Sequence, residues 1–251
     1  LWLYLVLLLI GLLAESSASI PVGTRLHGEP FYFAKRDVIY IFLSCVTCYF
    51  TLQISMDKWE KWHVRLFGIA LVLLFLVMIP GIGREVNGAR RWIPMVLFNF
   101  QPAEFAKLAL TCFLASYFTR RYDEVRSRKL SAVKPFLVMG LLGCFLLMQP
   151  DLGSTVVLFV ITFGLLFIIG AKFGQFLLLF GFAALMFVWL VLSSAYRLKR
   201  ITGFMDPFKD PYGTGFQLSN SLMAFGRGGF FGEGLGNSVL KLEYLPEAHT
   251  D

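Results

Sequence analysis

The chain has 251 residues, 57% of them hydrophobic and only 16% charged, a formal net charge of +7 and a mean hydropathy of +0.69. That composition excludes an ordinary soluble domain, and without alternating ten-residue strands it excludes a membrane barrel, which leaves an all-α polytopic membrane protein. The positive charge sits in short connectors instead of one soluble face, so a nucleic-acid binder is excluded and the partners indicated are the membrane and an anionic lipid or substrate.

Seven apolar runs, at about 1-14, 37-54, 64-80, 101-119, 135-149, 154-170 and 173-195, read as spanning helices. Each is near or short of the roughly 20 residues that cross the hydrocarbon. The first run has no charged leader and no cleavage site, so it is not a signal peptide, and the true start of the first helix is expected upstream. Cys45 and Cys48 form a Cys-x-x-Cys, but with Cys112 and Cys144 they lie in apolar runs and read as small hydrophobes, not as a metal or redox site.

The connector 120-134 is the densest basic loop, which the positive-inside tendency places in the cytoplasm. Alternation then puts 55-63 and 170-175 inside, and 15-36, 81-100, 150-153 and everything from 196 outside. Basic residues are as plentiful outside as inside. Because that works against the insertion bias, some of them are expected to have a task there, such as holding phosphate.

The outer connector Gly83-Arg-Glu-Val-Asn-Gly-Ala-Arg-Arg-Trp92 carries Arg84, Arg90 and Arg91 beside a tryptophan. Interfacial snorkelling and a pyrophosphate clamp both fit it, since planar guanidinium forks bind phosphate oxygens in pairs. Next, Glu104 and Lys107 in Gln101-Pro-Ala-Glu-Phe-Ala-Lys107 lie three apart at a helix start, so they share a face and can pair. The pair is either a buried structural one or one wall of a substrate cavity. In Gln149-Pro-Asp-Leu-Gly-Ser154 there is almost no loop between two apolar runs. Asp151 there either caps the following helix or lines a cavity.

From 196 onward the composition changes to Gly, Pro, Asp and Asn, with turn-forming pairs such as Asp206-Pro207 and Asp210-Pro211. The reading divides the chain into a transmembrane helical bundle over 1-195 and a large extracytoplasmic loop beginning at 196-251. That loop gathers Arg197, Lys199, Arg200, Arg227, Lys241, Glu243, Glu247, His249 and Asp251, cations for phosphate beside carboxylates for proton transfer. A loop charged for solubility is the plainer alternative.

Taken in order, Gly83 to Ile93, Gln101 to Lys107, Gln149 to Thr155, Arg200-Ile-Thr-Gly-Phe204, Gly226-Arg-Gly-Gly229 and Leu245-Pro-Glu-Ala-His-Thr-Asp251 resemble the signature of the shape, elongation, division and sporulation (SEDS) family. Ser221 to Gly229 and Gly234-Leu-Gly-Asn-Ser238 are similar to its division branch more than to its elongation branch. The resemblance implies ten spanning helices with a large external loop after the seventh. About three helices and the rest of the loop would then lie beyond residue 251, and a chain ending there would be inactive alone.

It further implies a peptidoglycan glycosyltransferase of the bacterial inner membrane, at the division septum. The implied reaction polymerises lipid II beside a class B penicillin-binding protein and other divisome proteins. Asp251, closing the His-Thr-Asp motif, is the catalytic carboxylate that the resemblance implies. Arg84, Arg90, Arg91, Arg197, Arg200, Arg227 and Lys241 are the candidate phosphate-holding groups, with Glu104, Lys107, Asp151 and Glu243 at the same substrate site. No metal-ligand cluster is visible, although a divalent cation bridging the pyrophosphate is compatible with the chemistry. A lipid II flippase, motivated by Glu104 and Lys107 at membrane depth, and a non-catalytic divisome scaffold are the competing readings.

Overall fold

The computed structural model describes residues 2-86, 88-95, 98-127, 131-234, 237-238 and 245. In chain order these form α1 (Trp2–His27), α2 (Tyr32–Leu52), α3 (Met56–Leu76), β1 (Arg84–Val86), β2 (Ala89–Pro94), β3 (Asn99–Phe100), α4 (Pro102–Arg120), α5 (Tyr122–Ser127) and α6 (Val133–Met148). They continue as α7 (Leu152–Ile168), α8 (Phe173–Leu192), α9 (Ala195–Met205) and α10 (Phe216–Gly228). A helix lies on each of the seven apolar runs. Of these, α1 and α8 are each long and apolar enough to cross a membrane on their own.

The boundaries differ from the hydropathy reading most at α1 and α3, for local reasons. Helix α1 does not stop at residue 14 but continues through Glu15-Ser-Ser. Its hydroxyls are satisfied inside the helix, Ser16 Oγ donating to the Leu12 carbonyl at 2.5 Å and Thr24 Oγ1 to that of Ile20 at 2.8 Å. It ends at Gly28, whose φ of 69° is the left-handed conformation that closes a helix. Helix α3 begins at Met56, so the polar connector 55-63 is mostly its first two turns. Asp57 in the first turn suits the positive end of the helix dipole, and Lys58, Glu60 and Lys61 are strong helix formers.

Residues 1-53 with 188-251 form one packing unit and 54-187 the other. In the first, α1 packs on α2. In the second, α4 is the central helix and touches α3, α6 and α7. Ala103, Ala106 and Ala109 are buried along it with Leu110 and Leu114, against Ala70 and Leu74 of α3, Leu142 and Leu146 of α6, and Leu158 and Leu166 of α7. Small side chains at that spacing let neighbouring helices approach closely where no hydrophobic effect drives them together. Phe159 and Phe163 of α7 meet Phe136 of α6 and Phe176 and Phe180 of α8, with ring centroids 4.3 to 6.4 Å apart.

The connector 81-100 carries a three-stranded antiparallel sheet in the order β1-β2-β3 that the hydropathy reading missed. The Asn87-Gly88 pair, with Gly88 at φ 75°, is the local signal for its first hairpin.

Candidate functional site

The hairpin decides what its arginines can do. Glu85 pairs with Arg90 and Arg84 with Trp92, so Arg91 is the extra residue of a bulge. Arg90 is held by Glu85, Nη2 lying 3.0 Å and Nε 3.1 Å from Oε2. Arg91 points elsewhere. Its Nε donates to the Gln149 carbonyl at 3.1 Å and its Nη2 to the Pro150 carbonyl. One guanidinium fork thereby fastens the hairpin onto the turn between α6 and α7.

Gln149 extends the same fastening. It is buried, and its Nε2 donates to the Leu74 carbonyl of α3 at 3.0 Å. Asp151, also buried, is the N-cap of α7: Oδ1 accepts from Ser154 N at 3.1 Å and Oδ2 from Ser154 Oγ at 2.7 Å. Of the two readings of Asp151, the geometry displays the cap. Gln149, Pro150 and Asp151 therefore knit α3, the hairpin and α7 at one end of the second unit.

Glu104 stands in the first turn of α4, where Pro102 occupies a first-turn position and a carboxylate is favoured by the exposed amides. Lys107 Nζ lies 2.6 Å from Glu104 Oε1, with the lysine 22% and the glutamate 60% exposed. The pair exists as the spacing predicts. Its acid, however, is an open group and not a buried one.

Near the other end of α4 lies a polar cluster that the sequence reading passed over. His63 of α3 is buried, with Nδ1 on the Glu60 carbonyl and Nε2 on Arg120 Nη2. Those contacts assign the imidazole proton to Nδ1, leaving Nε2 to accept from the guanidinium. Arg120 also donates from Nη2 to Ser116 Oγ at 2.8 Å and from Nε to the Ser116 carbonyl at 3.2 Å. Beside it, Arg121 bonds Glu124 at 2.6 Å, which holds its guanidinium even more firmly charged. His63 escapes a sequence reading because its partner is 57 residues away.

In the first unit, Arg197 Nη1 donates to the Leu190 carbonyl at 2.6 Å, and Arg200 is exposed on α9. Arg227, in the last turn of α10, lies 3.9 Å from Glu233. Both border a cleft of ≈ 360 Å³ lined also by Ser221, Phe225, Gly229 and Ser238. Lys241, Glu243 and Asp251 lie outside the described residues. Among the described residues no three His, Cys, Asp or Glu side chains gather as a metal site.

The family model described as cell cycle protein, FtsW/RodA/SpoVE, matches residues 1-251. The chain belongs to that family. It is 81% identical over 99% of its length to a protein of Pasteurella multocida named "Probable peptidoglycan glycosyltransferase FtsW". It spans about 63% of the length of the curated relatives it matches. Among solved structures it is similar to a chain of a peptidoglycan synthase complex that coordinates polymerization and crosslinking. That match has a TM-score of 0.64 and 29% identity, and covers 89% of this chain and 65% of that one. It also resembles the rod shape determining protein RodA of Thermus thermophilus, with a TM-score of 0.55 and 29% identity over 72% of this chain and 58% of that one. The fold is thus the polytopic helical membrane fold of this family.

Proposed function

We propose that the parent protein is a peptidoglycan glycosyltransferase of the bacterial inner membrane, acting at the division septum on lipid II. The observation carrying this is the 81% identity, over 99% of the chain, to a relative named as such an enzyme. Likeness to a chain of a peptidoglycan synthase complex supports a class B penicillin-binding protein as partner.

In the proposed reaction the carboxylate of Asp251 accepts the proton of the acceptor sugar's 4-hydroxyl. The oxygen attacks C1 of the donor sugar, the bond from C1 to the pyrophosphate breaks, and undecaprenyl pyrophosphate leaves with the bonding pair. One displacement inverts the donor carbon, in contrast to a retaining route through a covalent carboxylate intermediate. Cations stabilise the charge that grows on the pyrophosphate. Arg84, Arg200, Arg227 and Lys241 are assigned that role, and Glu243 the positioning of the loop. Arg90, Arg91 and Arg197 carry structural bonds, and Arg227 an ion pair with Glu233, so their share in phosphate binding requires exchange of those partners.

The test uses the full-length parent with its partner, fed labelled lipid II. Glycan strands should form with the wild type and be lost with Asp251→Asn. Equal polymer from both rejects the assignment. Lipid translocation in liposomes that survives Asp251→Asn and disappears with Glu104→Gln or Lys107→Met would indicate a flippase instead.

A further inference from the structure

Helix α9 presents two chemically opposed surfaces at the very end of a membrane span. Only Ser193 and Ser194 separate it from α8, whose 20 residues are long and apolar enough to cross a membrane. At helical spacing Leu198, Ile201 and Met205 fall on one side, i, i+3 and i+7, while Lys199 and Arg200 lie away from it and Phe204, at i+4 from Arg200, falls at the edge shared with Arg197 and Arg200. The helix carries three cations, Arg197, Lys199 and Arg200, and no acid.

Its apolar side is largely uncovered, with Leu198 40% exposed and Ile201 half-buried. Phe204 is 73% exposed and Met205 80%, and Phe208 just beyond is 57% exposed. These residues sit on a rigid element. Arg197 bonds the Leu190 carbonyl and so ties α9 to the last turns of α8. The segment after α9 folds back tightly: a Cβ on Gly203 would lie 3.2 Å from the Thr214 carbonyl oxygen, and one on Gly215 would lie 2.1 Å from that of Pro207. Asp210 locks the turn by accepting from Thr214 N at 3.0 Å and Thr214 Oγ1 at 3.3 Å.

We propose that α9 with Phe208 and Lys209 is an interfacial anchor, its aromatic and thioether side chains entering the outer leaflet while Lys199, Arg200 and Lys209 bind anionic phospholipid headgroups. Continuity with the span puts the helix at the interface, and the charge selects anionic lipid. An amphipathic helix with cations on its polar side and large apolar residues on the other lies in the headgroup plane. The inference does not rest on the transferase reading. It does give α9 a second employment for Arg200.

The test uses the whole chain with its four cysteines changed to serine, labelled with bimane at Phe204→Cys and, as aqueous reference, at Asp57→Cys. The protein is placed in nanodiscs of phosphatidylcholine alone or with phosphatidylglycerol, its helix content checked by circular dichroism. Iodide quenching at 204 should fall several-fold below that at 57, and spin-labelled lipid with the nitroxide near the headgroup should quench 204. Phosphatidylglycerol should deepen the protection, and Lys199→Gln with Lys209→Gln should weaken that gain by about fivefold for each cation removed. Iodide reaching 204 as freely as 57 overturns the anchor. Protection indifferent to phosphatidylglycerol and to the two substitutions overturns the headgroup selectivity.

Discussion

Replacing Asp151 by alanine should cost the second packing unit about 3 kcal/mol. Both carboxylate oxygens accept bonds from Ser154, at 3.1 and 2.7 Å, in a site where Asp151 is 6% and Ser154 9% exposed. A lost helix cap costs about 1–2 kcal/mol, and bonds to an ionised group in a buried place roughly 1.5–3. The two figures overlap because one of the bonds is the cap itself. At roughly 2–4 °C per kcal/mol for a chain of this size, the midpoint should drop by roughly 6–12 °C. The assay is thermal unfolding of the purified chain in a mild detergent, followed by circular dichroism at the helix band. Asp151→Asn separates the cap from the charge, because asparagine caps about as well as aspartate. It should recover most of the lost midpoint. An alanine variant as stable as wild type, or an asparagine variant as damaged as alanine, would refute the capping role.

Four further outcomes follow from local contacts. Leu110→Ala, at a fully buried position of α4, should destabilise by about 2–5 kcal/mol in the same unfolding assay. Gly83→Ala would put a Cβ 1.9 Å from the Val77 carbonyl oxygen, which is backbone and cannot swing aside, so a loss of about 3 kcal/mol or a failure to fold is expected. Gly140→Ala, where nothing lies within 4 Å, should be neutral by comparison. A double-mutant cycle on Glu104→Gln and Lys107→Met should return at most about 1 kcal/mol of coupling, because the glutamate is 60% exposed and solvent weakens the 2.6 Å contact.

The helices were legible because hydropathy integrates over many residues, and the seven apolar runs each found a helix. What hydropathy cannot see is polar helix, which is why α1 runs on past Glu15 and α3 starts before the apolar run at 64. The sheet over 84-100 was lost for a related reason: its strands are two to six residues long and the first two carry arginines, and the Asn-Gly sequence at 87-88 was the one local clue. Local pairings were within reach of the sequence: Lys107 beside Glu104 was expected, and the cap was one of the two readings of Asp151. Pairings across the chain were not. Nothing in the row Arg90-Arg91 says that one arginine stays with Glu85 while the other travels to Gln149 and Pro150, and it is this division that turns three apparent clamp residues into groups with distinct duties. Lys241, Glu243 and Asp251 lie outside the described residues: Asp251 enters the site through the His-Thr-Asp motif, Lys241 and Glu243 through their charge in the same segment.

The central claim is that the segment from 196 onward faces the outer side, where lipid-carried sugar phosphate would meet it. Lys209→Cys in a cysteine-free chain, probed with a membrane-impermeant maleimide in intact spheroplasts, reads this directly. Labelling before permeabilisation, with Asp57→Cys labelled only after it, is the predicted pattern, and the reverse pattern would contradict the account.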